Sequence, residues 1–183
     1  MGLNILIIGE CGVGKTHVMK SIIKELNLTE EGKVGTLNYL VGGNYILTGK
    51  YVGEVFDGSD KLSMSVMLSL KEFLSINTGK IIFYEGDRFM NKNFIKAAKP
   101  FIIKILGNGN EGRIKRGSDQ SGRHLSSVST RVSNITPALE LKSSSVCFEV
   151  LNGCISLSNT AEGFLSELNK AKLEHKTNQQ SLF

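Results

Sequence analysis

The chain has 183 residues, and its 22 Lys and Arg exceed its 17 Asp and Glu to give a net charge of +5 at neutral pH. Length and apolar content predict one domain with its own core, too short for the larger AAA+ or helicase motors. The mild basic excess suits an anionic ligand without specifying nucleic acid. Cys11, Cys147 and Cys154 form neither a CxxC pair nor a zinc spacing, and with no signal peptide they predict a reducing cytoplasm. No apolar run reaches the roughly 20 residues of a membrane span.

In chain order, residues 3 to 8 are apolar and β-prone and predict a buried strand. Val18, Met19, Ile22, Ile23 and Leu26 recur at helical spacing, predicting a helix from Lys15 to about Leu26. In VGTLNYLVGGNYILTGKYV, two β-prone runs flank Gly42-Gly43, a hairpin signal. DGSDKLSMSVMLSLKEFLSI predicts a helix with Ser59 or Asp60 near its N-terminus and Leu62, Val66, Leu70, Phe73 and Leu74 on its apolar face. KIIFYEGDR predicts a second buried strand ending in acids. A short helix from Asn93 to Lys99 and the strand FIIKIL follow.

Residues 107 to 124 mix glycines with Arg113, Lys115, Arg116 and Arg123, which predicts a flexible basic segment outside the core. A helix over about Ser118 to Asn134 comes next. VCFEVLN and ISLS predict late strands, and Ala161 to about Leu173 a final helix with Phe164, Leu165 and Leu168 on one face. The alternation of strands and helices predicts an α/β fold with a mainly parallel sheet, carrying a β-hairpin and a basic lid at about 107–136. The domain spans 1–174, and 175–183 read as a tail.

Gly9-Glu10-Cys11-Gly12-Val13-Gly14-Lys15-Thr16 matches G-x-x-x-x-G-K-T between a predicted strand and a predicted helix. Glycines let such a loop curl around phosphate oxygens with its N–H groups pointing inward, and the helix N-terminus adds partial positive charge. Lys15 would reach the β- and γ-phosphates of ATP, and Thr16 would offer a hydroxyl to Mg²⁺. A guanine-reading NKxD is missing, because NKNF at Asn91 to Phe94 lacks the Asp. Glu85 and Asp87 fall just past a strand whose C-terminal end would face a ligand, so one of them could hold Mg²⁺ through water. Arg88 would contact acceptor or phosphate. Asp57 and Asp60 precede a helix, where they either cap it or bind an acceptor and take its proton. Tyr45, Tyr51 and Phe56 either fill core or stack on a base. On an ideal wheel Leu125, Val128, Val132 and Ile135 share one face, while Arg123, Ser127, Thr130 and part of Arg131 lie opposite. That geometry would turn Arg123 and Arg131 toward developing phosphoryl charge.

The segments GECGVGKT, GKYVGEVFDGSDKLSM, YEGDRFMNKNF and DQSGRHLSSVSTRVSNI together resemble a group of bacteriophage P-loop kinases, related to nucleotide kinases, that includes the 5-hydroxymethyluracil DNA kinases. The resemblance runs through most of residues 1 to 136. It implies ATP-dependent transfer to a hydroxyl, with the hydroxymethyl group of a base in DNA as the favoured acceptor. It implies that Gly9 to Thr16 bind the nucleotide, that Asp60 serves the acceptor, that Glu85, Asp87 and Arg88 form the acid-rich strand end, and that Arg123 and Arg131 belong to a lid. Lys61 stands where the pattern would have Arg. A kinase for free nucleosides or nucleoside monophosphates is the first alternative, and an ATPase of a DNA-handling assembly the second.

Overall fold

The apolar run that opens the chain is the middle of a sheet. The structure, a computed structural model, describes residues 2–51, 58, 62, 65–115, 122–135, 139–142, 147–151 and 154–158. The chain divides into two compact units, Met1–Ser143 and Ser144–Phe183. In the first, β1 (Leu3–Gly9) leads through a loop to α1 (Lys15–Glu25), followed by β2 (Glu30–Val34), β3 (Leu37–Gly42) and β4 (Tyr45–Thr48). Then come α2 (Val66–Ile76), β5 (Ile81–Glu85), α3 (Lys92–Ala98), β6 (Phe101–Leu106), α4 (Gly109–Lys115), α5 (Gly122–Ser133) and β7 (Leu139–Lys142). Among the described residues the strands form one mixed sheet in the order β2-β3-β4-β5-β1-β6-β7. β4, β5, β1, β6 and β7 pair in parallel. β2 and β3 join them as antiparallel arms at one edge.

The strands are apolar on both faces because helices cover both. Leu6 and Ile8 of β1 belong to a core cluster with Val66, Leu70 and Phe73 of α2, Phe94 and Ala98 of α3, and Val128 and Val132 of α5. Ile5 and Ile7 alternate with them and so point to the opposite face. On that side Val18, Met19 and Ile22 bury the apolar stripe of α1, which packs against β1 and β5. Tyr84, fully buried, stacks edge-on with Phe89 and Phe94 at centroid separations of 5.1 and 4.7 Å. Its hydroxyl donates to Asn4 Oδ1 (3.1 Å), and Asn4 Nδ2 donates to the Ala98 carbonyl (2.8 Å), so one polar chain ties β5, β1 and the end of α3.

Local signals explain most boundaries. α1 stops where Asn27 takes a left-handed φ of 49° and the Leu28 N–H returns to the Ile23 carbonyl at 3.0 Å. The Gly42-Gly43 signal is the β3–β4 hairpin, with Gly42 opposite Tyr45. Asn91 caps α3 by accepting from the Phe94 N–H at 2.9 Å. α5 buries Val128 and Val132 with Ile135 packed beside them, as the wheel predicts.

Four expectations are corrected. α2 starts at Val66, with Ser65 at its N-cap, rather than near Ser59 or Asp60. Part of the glycine-rich segment is helical, as α4, and Gly109 is buried. β2 and β7 are strands where none was expected. The second unit contains β8 (Cys147–Leu151) and β9 (Cys154–Ser158), an antiparallel hairpin, which matches the predicted late strands. The expected helix at 161–173 and the tail lie outside the described residues.

Candidate functional site

The parallel strands run β4-β5-β1-β6-β7, so the chain leaves β1 toward one side of the sheet and later crosses to the other. A crevice at the C-terminal ends of strands flanking such a reversal is where open α/β sheets take ligands. The loop Gly9–Thr16 lies there, between the last residue of β1 and the first turn of α1. Gly12 and Gly14 have φ of 91° and 99°, a left-handed backbone that side chains disfavour. Gly14 caps α1 with no side-chain acceptor and the first turn carries no acid, so neither offsets the partial positive charge of the helix N-terminus. Val13 is buried. Lys15 is the first residue of α1, and its Nζ donates to the carbonyls of Gly9 (3.0 Å) and Glu10 (2.8 Å). Thr16 follows one residue later in the helix.

One strand over, β5 runs in register with β1, Ile7 opposite Glu85. Glu85 is 3% exposed, and its Oε1 accepts from the Tyr51 hydroxyl at 3.3 Å. Gly58 sits so close that a Cβ there would collide with Glu85 Oε1. Lys50 and Gly58 exchange two backbone hydrogen bonds, of 3.1 and 2.6 Å. Arg88 Nε donates to the Leu62 carbonyl at 3.3 Å. The turn after β5 therefore meets the segment before α2 at two points, Gly58 and Leu62.

α5 reaches the same end of the sheet. Arg131 pairs with Asp87 Oδ2 at 3.0 Å, with Asp87 only 14% exposed. Ser129 Oγ donates to Glu10 Oε1 at 3.0 Å. α4 approaches from beyond β6, where Arg113 Nη1 donates to the Cys11 carbonyl at 3.0 Å.

The structure thus brings the Gly9–Thr16 loop, Glu85, Asp87, Arg88 and Arg131 to one end of the sheet. Tyr51 spends its hydroxyl on Glu85. Asp57, Phe56 and Asp60 lie outside the described residues, as does the Arg123 side chain. Sequence reasoning missed Arg113 and Ser129 as partners of the loop. Their contacts span 102 and 119 residues, and no local pattern encodes such distances. Among the described residues no helix is long and apolar enough to cross a membrane. Compared with known proteins, the chain matches no protein-family model, no curated protein and no solved structure.

Proposed function

We propose that this chain is a P-loop kinase that transfers the γ-phosphate of ATP to a hydroxyl, with the hydroxymethyl group of a pyrimidine in DNA as acceptor. The observation that carries this reading is the glycine loop opening α1 at the sheet's reversal, with two carboxylates at the adjacent strand end and an arginine from α5 beside them. The amides of Gly9 to Thr16 and the Lys15 ammonium would bind the phosphates. The Thr16 hydroxyl and a carboxylate, Glu85 or Asp87, are hard oxygen donors that suit Mg²⁺, which usually takes one or two protein carboxylates and completes its shell with phosphates and water. When bound, that ion neutralises charge on the β- and γ-phosphates. Asp87 is already committed to Arg131, which favours Glu85 for the metal. Arg131, with Arg123, would stabilise charge on the transferred group. Asp60 would accept the acceptor's proton, and Asp57 and Arg88 would shape its pocket, with Arg88 acting through the Leu62 backbone.

A base stacked in a duplex cannot reach the loop, so the enzyme would extrude it at a cost of about a few kcal/mol, least in single strands. Contacts of Lys and Arg to backbone phosphates would offset that cost and make activity fall steeply with salt. Transfer of radiolabelled γ-phosphate is to be measured on 5-hydroxymethyluracil DNA, plain thymine DNA and free monophosphates across a salt series. Label on hydroxymethylated DNA alone, lost as salt rises, is expected. Label on free monophosphates and none on that DNA would replace this acceptor with a free nucleotide. ATP hydrolysis with no labelled acceptor would move the chain to the ATPases.

A further inference from the structure

We propose that Arg113 is a positioning residue that sets the geometry of the Gly9–Thr16 loop from outside the ligand crevice. This rests on the reading of that loop as a phosphate site. A trans peptide is planar, so its C=O and N–H point in opposite directions. Fixing the Cys11 carbonyl therefore fixes the Gly12 N–H, which must point away from whatever holds that carbonyl. Arg113 Nη1 holds it at 3.0 Å, in a partly buried contact. The guanidinium also donates to Asn110 Oδ1, so a second contact restrains its plane. A bond from a charged donor is stronger than one between neutral groups.

The two backbones around this contact approach closely. A Cβ on Gly12 would collide with the Gly109 carbonyl oxygen and lie 3.2 Å from Arg113 Cγ. A Cβ on Gly109 would collide with the Cys11 carbonyl oxygen. The first turn of α4 is thus pressed against the loop through two glycines, and Arg113, one turn further along, locks the contact. Lys15 satisfies the Gly9 and Glu10 carbonyls, while Arg113 satisfies that of Cys11. With the carbonyls held this way the loop amides are ordered before any phosphate arrives, which lowers the cost of binding. Arg113 touches the loop and never the phosphate.

Two measurements test this. The first needs no ligand. Hydrogen exchange of the peptide covering residues 9–16 is compared in the wild-type protein, Arg113→Ala and Arg113→Lys. Faster exchange in Arg113→Ala, with partial recovery in Arg113→Lys, is expected while exchange in β1 and β5 stays unchanged. Equal exchange in all three proteins would overturn the proposal. If Arg113→Ala fails to fold, Arg113→Lys and Asn110→Ala carry the comparison, with the same outcomes. The second measures binding of ATP and of inorganic tripolyphosphate. Both are expected to weaken about tenfold in Arg113→Ala, the scale of one charge-assisted hydrogen bond, because the effect concerns the phosphates and not the base. Weakening of ATP with tripolyphosphate unchanged would mean that Arg113 meets the base, and would overturn the proposal. A wild-type protein that binds neither would overturn the phosphate-site reading instead, a result distinct from equal binding by wild type and variant.

Discussion

Lys15 reaches back to the carbonyls of its own loop, with its ammonium held at 3.0 and 2.8 Å. A bound phosphate would replace those carbonyls as the acceptor, and the side chain is only partly buried. Lys15→Ala is therefore expected to lower turnover by about 10²-fold or more, the scale of one lost donor to developing charge, with melting temperature nearly unchanged. Wild-type turnover in that variant would contradict the role. Tyr84 presents the opposite case, a polar group whose contribution is to stability. Burial pushes its phenol well above its ordinary range. The proton retained by the fold leaves the unfolded chain above pH about 10, so the stability linked to Tyr84 is full below that pH and is lost as pH rises beyond it. Tyr84→Phe is expected to cost about 1–2 kcal/mol at pH 7, because Asn4 Oδ1 loses its donor. It should also show a shallower alkaline loss. Urea midpoints from pH 7 to 11 would check both, and parallel alkaline curves would count against the linkage.

α5 shows what a sequence can and cannot say about an element. Its apolar stripe was legible because 3.6-residue spacing puts Val128 and Val132 on one face, and both are buried. Its partners were not, since Asp87 and Glu10 are brought to it by the sheet. The Gly9–Thr16 loop was legible because strand, loop and helix are contiguous, whereas Tyr51 meeting Glu85 depends on two distant strands being neighbours. β2 escaped notice because EEGKV, at the sheet edge, has charged residues on both faces and so no alternation. α4 escaped because two glycines in GNEGRIK oppose helix locally, and packing against the loop overrides them. On the proposed kinase reading, Arg131→Ala is expected to lower the catalytic rate more than ATP affinity, since an arginine that meets the transferred group acts mainly in the transition state. A raised KM with unchanged kcat would contradict this. Asp87→Asn separates the pair from the metal role: loss of the ion pair alone would leave the Mg²⁺ dependence as in the wild type.

At the scale of the whole molecule, a ligand held by the Gly9–Thr16 loop would couple to folding, because the loop joins the central strand to the helix covering one face. A non-hydrolysable ATP analogue with Mg²⁺ at about 100 times its dissociation constant is expected to stabilise the protein by about 2.7 kcal/mol. That shift should appear as a raised melting temperature and vanish in Lys15→Ala. An unchanged melting temperature would mean that no nucleotide binds the folded state. The sheet's far edge has a different consequence, one for colloidal behaviour. β2 is the outermost strand on that side, and Glu30, Glu31 and Lys33 stand exposed along it. A strand from another molecule aligning there would have to strip water from those charges, so the edge resists templated growth. Replacing Glu31 and Lys33 with valine would give the edge the alternating apolar pattern of a pairing strand. Light scattering of that double variant should then rise with protein concentration, under conditions where the original sequence stays dispersed.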